Sequence, residues 1–129
     1  EIDLIIRGIC CLIPGQKYSR NIRVTRIVDT FLEHARIWYF GNGGNPKLFL
    51  GSPDWMRRNL YRRIEAVTPI LDPDAKQELI DMLSIQLSDK RKACFVDENL
   101  HNCWKSAHPL KEKVRSQYTF YEYLKERIE

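Results

Sequence analysis

His34 and Arg36 stand two residues apart in "FLEHARIWYF", and the chain downstream carries Gly51-Ser52 and then Asn59. On an extended segment, residues i and i+2 project to one face. There the guanidinium can neutralise a phosphate with its planar fork, and the imidazole can accept a phosphoryl group or move a proton. Gly51-Ser52, closing the return strand, is small enough to let backbone N–H groups approach an anion. Asn59 would add an amide donor one helical turn later. The competing reading is structural, because an H-x-R pair taken alone is common by chance.

Two further arginines stand out. Arg7 interrupts the apolar run "IDLIIRGICCLI" and is costly to bury without a partner. It is expected at the C-terminal end of a strand, where α/β sheets bind ligands, or else in a structural ion pair with Glu33, Glu65 or another acid. Arg57, Arg58, Arg62 and Arg63 form a basic cluster. Arg63 is expected at the start of a strand with Glu65 on its own face, which would hold it inward; the rest read as solvated. "KRK" at 90–92 reads as solvated surface, as do His101 and His108. No Walker-type loop, strand-to-helix G-x-G-x-x-G or zinc-ligand spacing occurs. "GNGG" joins two strands and reads as a hairpin turn.

The elements that must position these residues follow from periodicity. Residues 2–13 read as a strand buried on both faces, as in a largely parallel sheet. "IRVTRIV" is a strand and "DTFLEH" a short helical turn. "ARIWYF" and "KLFLGS" are strands joined by "GNGGNP", with Trp38, Tyr39 and Phe40 in the strand core. "PDWMRRNLY" suits a helical turn with Pro at its start, and "RRIEAVTPI" another strand. Asp72 is an N-cap and Pro73 the first residue of a helix. Ala75, Leu79, Ile80, Met82 and Leu83 form its apolar stripe. "KACFVDENL" and the segment near Trp104 are strand or loop. A last helix puts Val114, Tyr118, Tyr121, Leu124 and Ile128 on one face. The sum is an α/β sandwich.

At 129 residues, one compact domain is the expectation. The apolar fraction of 43% supports a core, and the longest apolar run is too short to span a membrane. The opening "EIDLIIRGICCL" lacks the marks of a signal peptide and reads as a strand from its first residue, as in a piece of a longer protein. A net charge of +4 favours an anionic ligand without choosing among nucleic acid, nucleotide and phosphate polymer. The four cysteines include no C-x-x-C pair and read as reduced core thiols of a cytosolic protein.

Long ungapped stretches, "DLIIRGICCLIPG", "NIRVTRIVDTFLEHARIWYF", "GNGGNPKLFLGSPDWMRRNLYRRIEAVTPILDP" and "KVRSQYTFYEYLK", resemble the C-terminal domain of bacterial polyphosphate kinase. The likeness runs from about residue 2 to 126. That family is similar in fold to phospholipase D, whose sites use H-x-K with a later Gly-Ser and Asn. Arg36 takes the lysine position, and Gly51, Ser52 and Asn59 take the others. Phospholipase D enzymes also carry an acid five residues past the lysine; Gly41 there argues against an ordinary phosphodiesterase.

The resemblance implies a phospholipase D-like α/β sandwich with a mixed, largely parallel sheet flanked by helices, one domain over residues 1–129. It implies reversible transfer of the terminal phosphate of ATP to inorganic polyphosphate through a phosphohistidine in the preceding domain. His34 would be the second family histidine, approaching the ATP phosphates, and Arg7 and Arg63 would contact nucleotide phosphates. Arg36, Ser52, Asn59 and Glu65 would support them. ATP and ADP are the implied substrates, with Mg2+ bound by residues outside this chain. The implied partners are the preceding domains of the same polypeptide and further copies in a dimer or tetramer. Nucleic acid is not expected. The location would be cytoplasmic, with peripheral membrane association left open, and the isolated fragment is expected to be inactive. Two other functions stay open: a dimeric phospholipase D-like phosphodiesterase, and a module that binds polyphosphate or nucleic acid without chemistry.

Overall fold

β-Branched and aromatic residues concentrate in short runs, and in the computed structural model, which describes residues 1–128, seven of these runs pair as strands. In chain order the elements are β1 (Ile2–Ile5), β2 (Ile22–Ile27), β3 (Arg36–Phe40), β4 (Lys47–Gly51), α1 (Arg57–Arg62), β5 (Val67–Pro69), α2 (Pro73–Ser88), β6 (Ala93–Val96), β7 (Asn102–Trp104) and α3 (Ser116–Ile128). The class is α/β with a mixed sheet, as expected. The parallel share is smaller than expected: β1 and β2 are parallel, and every other pairing is antiparallel. The chain forms two compact units, one from Glu1–Phe31 together with the chain from Met82 onward, the other from Leu32–Asp81. Helix α2 contributes to both.

The first unit holds the sheet β1-β2-β6-β7. Its core is Val24, Ile27, Ala93 and Val96, all buried. Asp89 is also fully buried, and its charge is matched by donors: Oδ1 accepts the N–H groups of Arg91 and Lys92, each at 2.8 Å, and Oδ2 accepts that of Ser116 at 2.7 Å. An acid at a helix N-terminus satisfies donors that the helix leaves open, so Asp89 fixes where α3 begins. Of the apolar face expected at the chain's end, Val114 and Leu124 are half-buried but Tyr118, Tyr121 and Ile128 are exposed, and Phe120 and Tyr123 are half-buried in their place.

β1 ends at Ile5 instead of running to residue 13. The ladder continues for one bond, Ile6 N–H to the Thr25 carbonyl, and then the Arg26 guanidinium takes the Gly8 carbonyl at 3.2 Å. Ile9 is left 88% exposed. Arg7 thus lies just past the C-terminal end of a strand, as one reading required. The helical turn expected in "DTFLEH" does not form. Asp29, Thr30 and Phe31 are instead pinned by side chains near the start of α3: Arg115 donates to Asp29 at 2.6 and 2.8 Å, and Gln117 bonds both the N–H and the carbonyl of Phe31. The four cysteines are free, but Cys11 and Cys103 are exposed and Cys10 and Cys94 half-buried, so they are not core thiols. Arg91 and Lys92 are likewise half-buried, where "KRK" was expected to be solvated.

The second unit holds the antiparallel sheet β3-β4-β5. Asn42, Gly43 and Gly44 all take positive φ in the turn between β3 and β4, which is what its Gly/Asn content allows. Lys76 Nζ ties the Pro46 carbonyl beside that turn to the first turns of α2. The Asp72 carboxylate caps the same helix, accepting the Ala75 N–H at 2.8 Å. The strand expected at "RRIEAVTPI" shrinks to Val67–Pro69, because α1 runs through Arg62 and starts at Arg57, not at Pro53. Leu48 is the buried centre of this unit; Tyr39 and Phe40, expected in the core, are exposed.

Candidate functional site

The register of the β3–β4 hairpin sets Arg36 opposite Gly51. A Cβ on Gly51 would lie 2.8 Å from both the Ala66 carbonyl oxygen and the Trp38 ring, so only glycine fits. Around this pair the second unit has an open concavity of about 610 Å³, lined by His34, Arg36, Leu50, Gly51, Ser52, Ala66, Thr68 and Ile70. His34 and Arg36 therefore meet at one surface. They do so by a different route from strand alternation, since His34 precedes β3. Arg36 folds back on it, with one terminal nitrogen 2.6 Å from His34 Nδ1 and donating to the His34 carbonyl at 2.8 Å. His34 is exposed and Arg36 half-buried.

Behind this surface lies a second cluster. The Glu65 carboxylate accepts the Ser52 hydroxyl on one oxygen and the Asn59 amide, at 2.7 Å, on the other. Those two donors hold the Glu65 carboxyl below its ordinary range, and the charges of Arg63 and Arg36 act in the same direction. Ser52 Oγ also accepts the Ala66 N–H at 3.1 Å, and the Ser52 N–H is bonded to the Ala66 carbonyl at 3.0 Å. The amide that was expected to face an anion is therefore already used. Ser52 and buried Asn59 hold Glu65 in place. The Asn59 Oδ1 is buried with no hydrogen-bond partner among the described residues.

Arg63 is not on a strand. It follows α1 in extended conformation and is exposed, and its field reaches Glu65. Arg7 belongs to the first unit, where it is exposed and donates to the Phe31 carbonyl at 2.7 Å. His101 and His108 are exposed, as expected. Sequence reasoning missed Asp54, which holds Arg36 through bonds of 2.9 and 3.0 Å to its Oδ1. The usable signal was the hairpin register: whatever follows Gly51 falls beside Arg36. Among the described residues no three His, Cys, Asp or Glu side chains gather as a metal site would require, and no helix is long and apolar enough to cross a membrane.

Known proteins are similar to this chain over most of its length. Residues 1–117 match the family model described as polyphosphate kinase C-terminal domain 2. The chain is 56% identical over 94 residues to a polyphosphate kinase of Synechocystis, covering 72% of this chain and 13% of that protein. It is 45% identical over 125 residues to the polyphosphate kinase of Escherichia coli K12, covering 96% of this chain and 18% of that protein. The crystal structure of polyphosphate kinase from Porphyromonas gingivalis superposes with a TM-score of 0.93 at 55% identity, over 98% of this chain and 19% of that one. The chain thus spans less than a fifth of the length of these relatives. It belongs to the polyphosphate kinase family and corresponds to that family's second C-terminal domain.

Proposed function

We propose that this chain supplies one half of an active site that reversibly moves the terminal phosphate of ATP onto inorganic polyphosphate. The observation that carries the reading is the composition of the concavity in the second unit. It is lined by one histidine and one arginine and by no carboxylate, which suits a polyanion. Phosphoryl transfer depends mainly on positioning and charge neutralisation. Arg63 and Arg7 are exposed cations that would neutralise nucleotide phosphates. His34 would act on the leaving ADP oxygen, as a hydrogen-bond donor or a general acid. Arg36 supports His34, while Ser52, Asn59 and Glu65 form the wall behind it.

The other half of the site would contribute the histidine that carries the phosphoryl group, and closing the two halves would keep water from hydrolysing that intermediate. Mg2+ belongs to the same proposal and would be held by residues outside this chain. The phospholipase D-like character of the fold, the dimeric or tetrameric assembly and the cytoplasmic location belong to the same proposal. The test is polyphosphate synthesis from ATP by the full-length enzyme and by the 129-residue chain alone. The full-length enzyme should be active and the chain alone inactive. Turnover by the chain alone would overturn the half-site reading.

A further inference from the structure

We infer that Asp54 and Arg36 form a positioning unit that locks His34 as a neutral imidazole with its proton on Nε2, so that His34 donates a hydrogen bond and serves neither as nucleophile nor as general acid. The inference deepens the proposed function and rests on it for its role in phosphoryl transfer. The tautomer itself rests only on geometry within the second unit.

A guanidinium has five N–H donors and no acceptor. Arg36 directs four of them: Nε and one terminal nitrogen both donate to Asp54 Oδ1, at 3.0 and 2.9 Å, and the other terminal nitrogen faces His34 Nδ1 at 2.6 Å and the His34 carbonyl at 2.8 Å. With Arg36 unable to accept, His34 Nδ1 must be the acceptor, so the ring proton sits on Nε2. The nucleophilic tautomer would have its lone pair on Nε2 and a proton on Nδ1, pointed at a cation. The imidazolium needed for general acid work would place the same proton there. Both set donor against donor at 2.6 Å.

Loss of a proton from the neutral ring would leave an imidazolate, so the ring can stabilise charge on a leaving oxygen but does not transfer its proton to it. A neutral histidine used as an electrophilic hydrogen-bond donor is a known solution in other enzymes. The clamp is held from both ends. Gly51 brings the loop out beside Arg36, Pro53 is buried, and the Met56 N–H closes on the Asp54 carbonyl at 2.7 Å.

The test is the ¹⁵N spectrum of the 129-residue chain labelled at histidine, with His34 assigned by His34→Gln and the fold of each variant checked by circular dichroism. At a pH above the ordinary histidine range, wild-type Nδ1 should resonate as an unprotonated nitrogen and Nε2 as a protonated one. Asp54→Asn and Arg36→Ala should shift both signals toward a tautomer mixture, and Asp54→Glu should restore the wild-type pattern. A protonated Nδ1 in the wild type would overturn the inference, and so would a spectrum unmoved by Arg36→Ala in a folded variant. In the full-length enzyme, Asp54→Asn should lower kcat roughly ten- to hundredfold, as misplacing a reacting group does, with little change in KM for ATP. If the tautomer is as inferred but His34→Ala leaves synthesis intact, the proposed function fails and the clamp stands.

Discussion

Arg115 in the first unit and Arg36 in the second are each held by an aspartate, and the two grips differ in what they leave over. Arg115 meets both oxygens of Asp29, adds Thr30 Oγ1 at 3.0 Å, and stacks 4.2 Å over the Tyr118 ring. The Asp29 side chain is 1% exposed, so this carboxylate is turned inward and consumed by the fold. Arg36 places two donors on a single oxygen of Asp54, whose side chain is 40% exposed, and keeps a terminal nitrogen for His34. One aspartate closes a structural lock; the other aims an arginine at an imidazole that lines an open concavity. The contrast teaches that a bidentate grip stabilises, whereas a one-oxygen grip leaves the arginine able to set the state of a neighbour.

The largest effect should come at the open end of that contrast. In the full-length enzyme, His34→Ala should cut polyphosphate synthesis by about 10²- to 10³-fold, the scale of losing one charge-stabilising donor, with an unchanged melting temperature. Normal synthesis would remove His34 from the site. Next comes the closed end. Arg115→Ala leaves the Asp29 carboxylate buried without its main partner and should cost roughly 3 kcal/mol in a denaturant titration. A loss below 1 kcal/mol would erase the distinction between the two pairs.

Acid should discriminate the same two regions. Arg115 beside Asp29 holds its carboxyl down to about 2, against an ordinary 3.8. A depressed carboxylate stabilises the fold above its unfolded value and loses that contribution as pH falls through the folded value. Up to about 2 kcal/mol should therefore disappear between about pH 4 and pH 2. Arg115→Ala should flatten this part of the stability curve, and an unchanged slope would contradict the assignment. A smaller cost, about 1–2 kcal/mol, is expected for Gly51→Ala, whose Cβ presses on the Ala66 carbonyl and the Trp38 ring. Smallest of all, exposed His108→Ala should stay within about 0.5 kcal/mol of wild type in the same titration.

What could be read in the sequence was local. The Gly/Asn turn, the strands it joins and the Asp72 cap on α2 each depend on residues close in the chain, and each forms where expected. What depended on distant partners was misread. β1 is short because the Arg26 side chain takes the Gly8 carbonyl, and "DTFLEH" forms no helical turn because Arg115 and Gln117 hold Asp29 and Phe31; neither contact is visible in a window of neighbouring residues. In the site, the pairing of His34 with Arg36 was legible as residue types at suggestive spacing, but Ser52 and Asn59 were expected beside that pair and Glu65 beside Arg63. Their directions were not legible. Ser52 and Asn59 turn toward Glu65, and Asp54 was silent because its partner lies 18 residues away across a hairpin.

The most direct measurement is the position of the phosphoryl group on the full-length enzyme. The phosphoenzyme formed with γ-labelled ATP would be trapped, digested and mapped. With Nδ1 of His34 held by Arg36, the label should fall on a histidine outside the segment that corresponds to residues 1–129. Label on His34 would make it the nucleophile and contradict the account.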